Sequence, residues 1–100
     1  MKIGHGVYLS NSIKDNYTVV EDGARIEDSV VMDRSIIGPG ARVQSSIVGR
    51  HSYVGAGTVL WGSVLGDDVW VGSNAYLHYA KIWPHKVVND GVKLENFALT

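Results

Sequence analysis

Ile37-Gly-Pro-Gly-Ala-Arg-Val43 and Val54-Gly-Ala-Gly-Thr-Val-Leu60 are two copies of one pattern, set 17 residues apart. The stretches that follow match at the same offset, Ser46-Ile47-Val48-Gly49 against Ser63-Val64-Leu65-Gly66. A fixed period constrains architecture more strongly than local propensity does. Written in rows of 17, the chain gives coils starting at Ile3, Val20, Ile37, Val54, Val71 and Val88, the sixth cut short at Thr100.

The columns of this frame have distinct chemistry. The first is aliphatic in every row. So is the seventh, with Leu9, Ile26, Val43, Leu60, Leu77 and Leu94. The twelfth is aliphatic except at Lys14. The fourth column is Gly6, Gly23, Gly40, Gly57, Asn74 and Gly91, the choice a recurrent corner with positive φ requires. The fifth and tenth columns are mostly small: Ala24, Ala41 and Ala75 in one, Ser12, Ser29, Ser46 and Ser63 in the other. Small residues suit inward positions where short strands meet at sharp turns. The pattern predicts an all-β parallel solenoid of about five and a half coils, with three short strands per coil and aliphatic columns stacked inside. At about 4.8 Å per coil, six coils make a prism about 29 Å long. A helical reading fails, because apolar residues do not recur at three and four and glycine interrupts every segment.

Composition agrees. Glycine is high at 12, proline low at 2, and cysteine absent. No disulfide framework or thiolate metal site is available. A net charge of -1 gives no global basic field for nucleic acid or anionic lipid. No apolar run is long enough to span a bilayer, and Met1-Lys2-Ile3 leads into Gly4-His5-Gly6 instead of a signal-peptide core. The expectation is one domain over residues 1–100, in the cytoplasm, with no nucleic-acid or membrane partner and no cofactor.

Ile37-Gly-Pro-Gly-Ala-Arg, Val54-Gly-Ala-Gly-Thr-Val and Val71-Gly-Ser-Asn-Ala-Tyr resemble the hexapeptide repeats of left-handed parallel β-helices. The left hand follows from the resemblance alone, since the general crossover rule favours the right. Two further elements resemble the C-terminal domain of sugar-1-phosphate nucleotidyltransferases of the mannose-1-phosphate guanylyltransferase-like and glucose-1-phosphate nucleotidyltransferase-like groups. One is the Ser-aliphatic-aliphatic-Gly step at Ser46 and Ser63; the other is Ile82-Trp83-Pro84-His85-Lys86. The catalytic half of such enzymes resembles an α/β domain with a Gly-x-Gly-Thr-Arg nucleotide loop, and no such loop occurs here. Gly38-Pro39-Gly40 and Gly55-Ala56-Gly57 fall on the corners of the period, with no helix after them to meet a phosphate. The resemblance therefore implies a non-catalytic β-helix domain, detached or stand-alone, that serves oligomerisation and regulatory or interdomain contacts.

Outward columns carry the candidate site. Column eleven is Ile13, Val30, Ile47, Val64, Lys81 and Ala98, flanked on both sides by inward columns. Column seventeen is Val19, Ile36, Tyr53, Trp70 and Val87. Trp61, Tyr76, Tyr79 and Trp83 add exposed aromatics in coils four and five. Apolar surface of this extent predicts an interface, with a second copy, an N-terminal nucleotidyltransferase domain, or both. Arg25 and Arg42 stack in column six and form a possible anion site, although Glu21, Asp22, Glu27, Asp28 and Asp33 share their coils. The four histidines, His5, His51, His78 and His85, are read as surface residues. His51 and His85 share column fifteen two coils apart, about 9.6 Å, too far for one zinc ion. The alternative function is a small hexapeptide acyltransferase-like enzyme with a histidine base and a site between subunits.

Overall fold

The computed structural model describes residues 2–14 and 17–100. The first coil contains β1 (Lys2–Ile3), β2 (Tyr8–Ser10) and β3 (Ile13–Lys14). The same triplet recurs through every coil to β16 (Val87–Val88), β17 (Lys93–Glu95) and β18 (Ala98–Leu99). Like strands of successive coils pair in parallel, so the described residues form three sheets of six strands each. No helix occurs among the described residues.

The register is the predicted one. Val54 pairs with Ile37 below and Val71 above. Leu60 sits between Val43 and Leu77, and Leu65 between Val48 and Ile82. Each coil is therefore displaced from the next by 17 residues, and the prism measures 32 × 21 × 21 Å. All of these inward aliphatics are buried and form one continuous core. Lys14, the exception in the twelfth column, contributes its backbone to β3, and its side chain lies outside the described residues.

Short strands follow from the position of the corners. Every residue of column four has positive φ, from 56° at Asn74 to 72° at Gly23. Two further corners do the same without glycine in most coils. Asn11, Asp28, Ser45, Tyr79 and Asn96 occupy one, and Tyr17, Arg34, His51, Asp68 and His85 the other. The sequence pattern identified only the first of the three. Left-handed backbone is tolerated by Asn and Asp, and it is imposed on Tyr, Arg and His when neighbouring coils fix the path.

The serine column does more than save space. Ser29 Oγ donates to the Glu27 carbonyl at 2.7 Å and accepts from the Ser46 amide at 3.1 Å. Ser46 Oγ repeats this with the Gln44 carbonyl and the Ser63 amide. A second ladder runs through Ser35 and Ser52, and Thr58 Oγ1 joins the Gly72 carbonyl to the Ala75 amide. A turn takes backbone groups out of the strand ladder, and a buried one must find another partner. The hydroxyls supply it.

Gly55 has no space for a side chain, because a Cβ there would press into the carbonyl of Gly72 one coil on. Gly40 has φ of 69° and open space around it. The two positions separate steric exclusion from dihedral strain. Gly55→Ala is expected to cost about 3 kcal/mol through overpacking. Gly40→Ala is expected to cost about 1 kcal/mol through left-handed strain. Denaturant titrations of both variants check the order, and a larger loss at Gly40 would contradict the close coil contact.

Candidate interaction surface

Strands on the third face are two residues long, so each turns one side chain inward and one outward. Ile47–Val48 and Val64–Leu65 both read exposed then buried. Along the face, Ile13 pairs with Val30, Val30 with Ile47, and Ile47 with Val64. Ile13 is 63% exposed, Ile47 41% and Val64 40%, with Val30 half-buried between them. The stripe then becomes Lys81 and Ala98, both exposed. Four aliphatic residues thus stand in strict register on one face, three of them exposed and Val30 half-buried.

The first face carries column seventeen. Ile36, Trp70 and Val87 are exposed, while Val19 and Tyr53 are half-buried. The Tyr53 and Trp70 rings stack at 5.8 Å with 20° between planes, because they occupy paired positions on adjacent strands.

On the second face, Trp61 pairs in register with His78. The His78 ring meets Trp61 edge-on at 5.7 Å, Tyr79 edge-on at 4.5 Å, and Tyr76 in a stack at 6.1 Å. Tyr79 folds over Gly62, where a Cβ would collide with its ring. Trp61 and Tyr79 stay exposed, and Tyr76 does not fully, since His78 lies on one side and the Lys93 ammonium 5.6 Å from its ring. His78 is therefore a packed member of an aromatic cluster, unlike the solvent-facing histidine read from the sequence. Trp83 is exposed and stands apart from this group, next to Pro84 at the third corner.

The arginines of column six pair in register, Arg25 with Arg42. Arg25 is engaged twice, by Glu27 at 3.0 Å and by the Tyr8 ring at 4.6 Å. Arg42 has no ion pair among the described residues and shares a hollow of about 330 Å³ with Arg25, Glu27 and Gln44.

At the third corner the structure joins residues that the sequence left separate. His51 Nδ1 lies 2.6 Å from Asp68 Oδ1, and His85 Nδ1 lies 3.4 Å from Asp68 Oδ2. His51, Asp68 and His85 are consecutive members of column fifteen, so the signal was present in the period. It went unseen because the column has no single residue type. Among the described residues no group of three His, Asp or Glu side chains is arranged to hold a metal ion. No helix is long and apolar enough to cross a membrane.

Comparison with known proteins places this architecture. A family model described as the GMPPB C-terminal domain matches residues 1–97. No curated protein matches the chain. Among solved structures, the chain is similar to a GDP-perosamine N-acetyl transferase from Caulobacter crescentus, crystallised with CoA and GDP-perosamine. The TM-score is 0.65 at 21% identity, over 92% of this chain and 45% of that one. It is also similar to a hexapeptide transferase family protein from Anaplasma phagocytophilum. There the TM-score is 0.61 at 12% identity, over 96% of this chain and 72% of that one. The chain thus spans less than half the length of the first of these structures, and at such identities the likeness is one of fold. With its 17-residue coils, three stacked parallel sheets and glycine corners, the chain is a hexapeptide-repeat left-handed β-helix and belongs to the GMPPB C-terminal domain family.

Proposed function

We propose that this chain is a non-catalytic assembly module of a sugar-1-phosphate nucleotidyltransferase or a close homologue, acting in the cytoplasm. The observation that carries this reading is the aliphatic stripe of Ile13, Val30, Ile47 and Val64 on the third face. Fold stability does not require it, since the buried partner in each of the strands from Val30 onward is Val31, Val48 or Leu65. A monomer gains nothing by leaving such a stripe wet, and burying it against a second copy removes it from water. Column seventeen, with Ile36, Tyr53 and Trp70, and the aromatic residues Trp61 and Trp83 then remain for a nucleotidyltransferase domain. Trp and Tyr are the residue types that anchor such contacts.

A second reading is favoured by the His51–Asp68 pair. A carboxylate that holds one ring nitrogen leaves the other free as a proton acceptor, the arrangement a histidine general base needs. In this reading the chain is a small acyltransferase-like enzyme that completes its site between subunits.

Two experiments separate these readings. Multi-angle light scattering of Ile47→Asp with Val64→Asp is expected to give a smaller particle than the parent chain, with unchanged circular dichroism. An unchanged mass counts against the third-face interface. Acetyl-CoA titrated into the chain by calorimetry is expected to give no heat of binding. Saturable binding that His51→Asn abolishes would instead establish the acyltransferase reading.

A further inference from the structure

The third corner holds a block of charge that the assembly reading does not use, although the acyltransferase reading draws on its His51–Asp68 pair. Asp33 and Arg34 lie in the second coil, Arg50 and His51 above them in the third, and Asp67 and Asp68 in the fourth. The block is fixed by the backbone. The His51 amide donates to the Asp33 carbonyl at 2.9 Å, and the Arg50 amide to Asp67 Oδ1 at 2.9 Å. Asp33, Arg34, Arg50 and His51 line one hollow of about 440 Å³.

The cations of this hollow are poorly satisfied from within the chain. The Arg50 guanidinium has no ion pair among the described residues. Arg34 Nε is 3.7 Å from Asp33 Oδ2, beyond hydrogen-bond distance, and Asp33 Oδ1 is buried with no partner. Asp33 thus pairs with Arg34 only through a long ionic contact, with no hydrogen bond between them. This differs from column six, where Glu27 reaches Arg25 at 3.0 Å and Tyr8 covers it. His51 is oriented from the far side. Its Nδ1 faces Asp68, so Nε2 is the ring nitrogen left to meet a ligand, accepting from a P–OH group when the ring is neutral and donating when it is protonated. Two planar guanidinium forks and an imidazole, set against the single lining carboxylate of Asp33, leave an open hollow whose donors fit a compact oxyanion with several acceptor atoms.

We propose that Arg34, Arg50 and His51 bind a phosphate group, as the free anion or as a small phosphomonoester, with Asp68 as the positioning residue for His51. The site is built by the corner of coils two and three and leaves the third-face stripe untouched, so it stands independently of the assembly reading.

The probe is inorganic phosphate, followed by amide NMR of the intact chain at constant ionic strength, with sodium chloride as the control. Phosphate is expected to move the amides of residues 33, 34, 50, 51 and 68 along saturable curves, with half-saturation at about 1–10 mM. Methyl phosphate is expected to follow the same curve if a monoester fits, and to give no shifts if only the free anion does; both outcomes support the site. Arg50→Gln and Arg34→Gln are each expected to weaken binding at least about fivefold, and Lys93→Gln, in the sixth coil, to leave it unchanged. Shifts that grow linearly without saturating would overturn the proposal. So would equal weakening by Lys93→Gln, which would indicate general charge attraction, or full binding in Arg50→Gln.

Discussion

Each coil hydrogen-bonds to the coil 17 residues further on, and that single constraint governs the rest of the molecule. The Tyr53 amide donates to the Val69 carbonyl and the Gly55 amide to the Val71 carbonyl, while the Gly57 amide reaches back to the Pro39 carbonyl. A backbone pinned on both sides cannot change path in one coil without unpairing groups in two others. Buried unpaired groups are expensive, so all the coils adopt one trace and the sequence must fit it. Left-handed φ at eleven non-glycine residues among those described is the visible consequence. His51 or Tyr79 alone would prefer another conformation, but the ladder above and below leaves it none.

Legibility in the sequence follows from this constraint. Columns one, seven and twelve stood out because a stacked interior accepts only aliphatic shape, and Ile37, Val54 and Val71 repeat that demand. Column four stood out because glycine fills it. The other two corners were hidden because the ladder imposes their φ on whatever residue is present. The serines of column ten read only as small, and their hydroxyl ladder could not be inferred from volume. On the outside, neighbours decide the outcome. Tyr76 looked like an exposed aromatic, yet His78 and Lys93 cover part of it.

A thin prism has one further property. With a cross-section of 21 Å it can bury only one ring of side chains, and every second strand residue must face out. The core is therefore complete without the outer columns. Ile47 could be polar without disturbing Val48, and Trp61 without disturbing Leu60. Where outward residues are nonetheless apolar in register over four coils, folding does not explain them, and the proposed assembly surface would. In the same way, the charges at Arg34 and Arg50 answer no need of the ladder.

The likeness to transferases supports this division. A TM-score of 0.65 at 21% identity over 92% of the chain means that the path survives replacement of most residues. What the path requires is limited: aliphatic stacks, small or hydroxyl corners, and glycine where coils nearly touch, as Gly55 does against Gly72. These requirements leave the outer columns free to differ between chains that share the trace. Chemistry on this scaffold must therefore be read from the columns that the fold does not use. In this chain those are the Ile13–Val64 stripe, the Tyr53–Trp70 edge, the cluster around His78, and the charged corner where Asp68 turns His51 toward its neighbours.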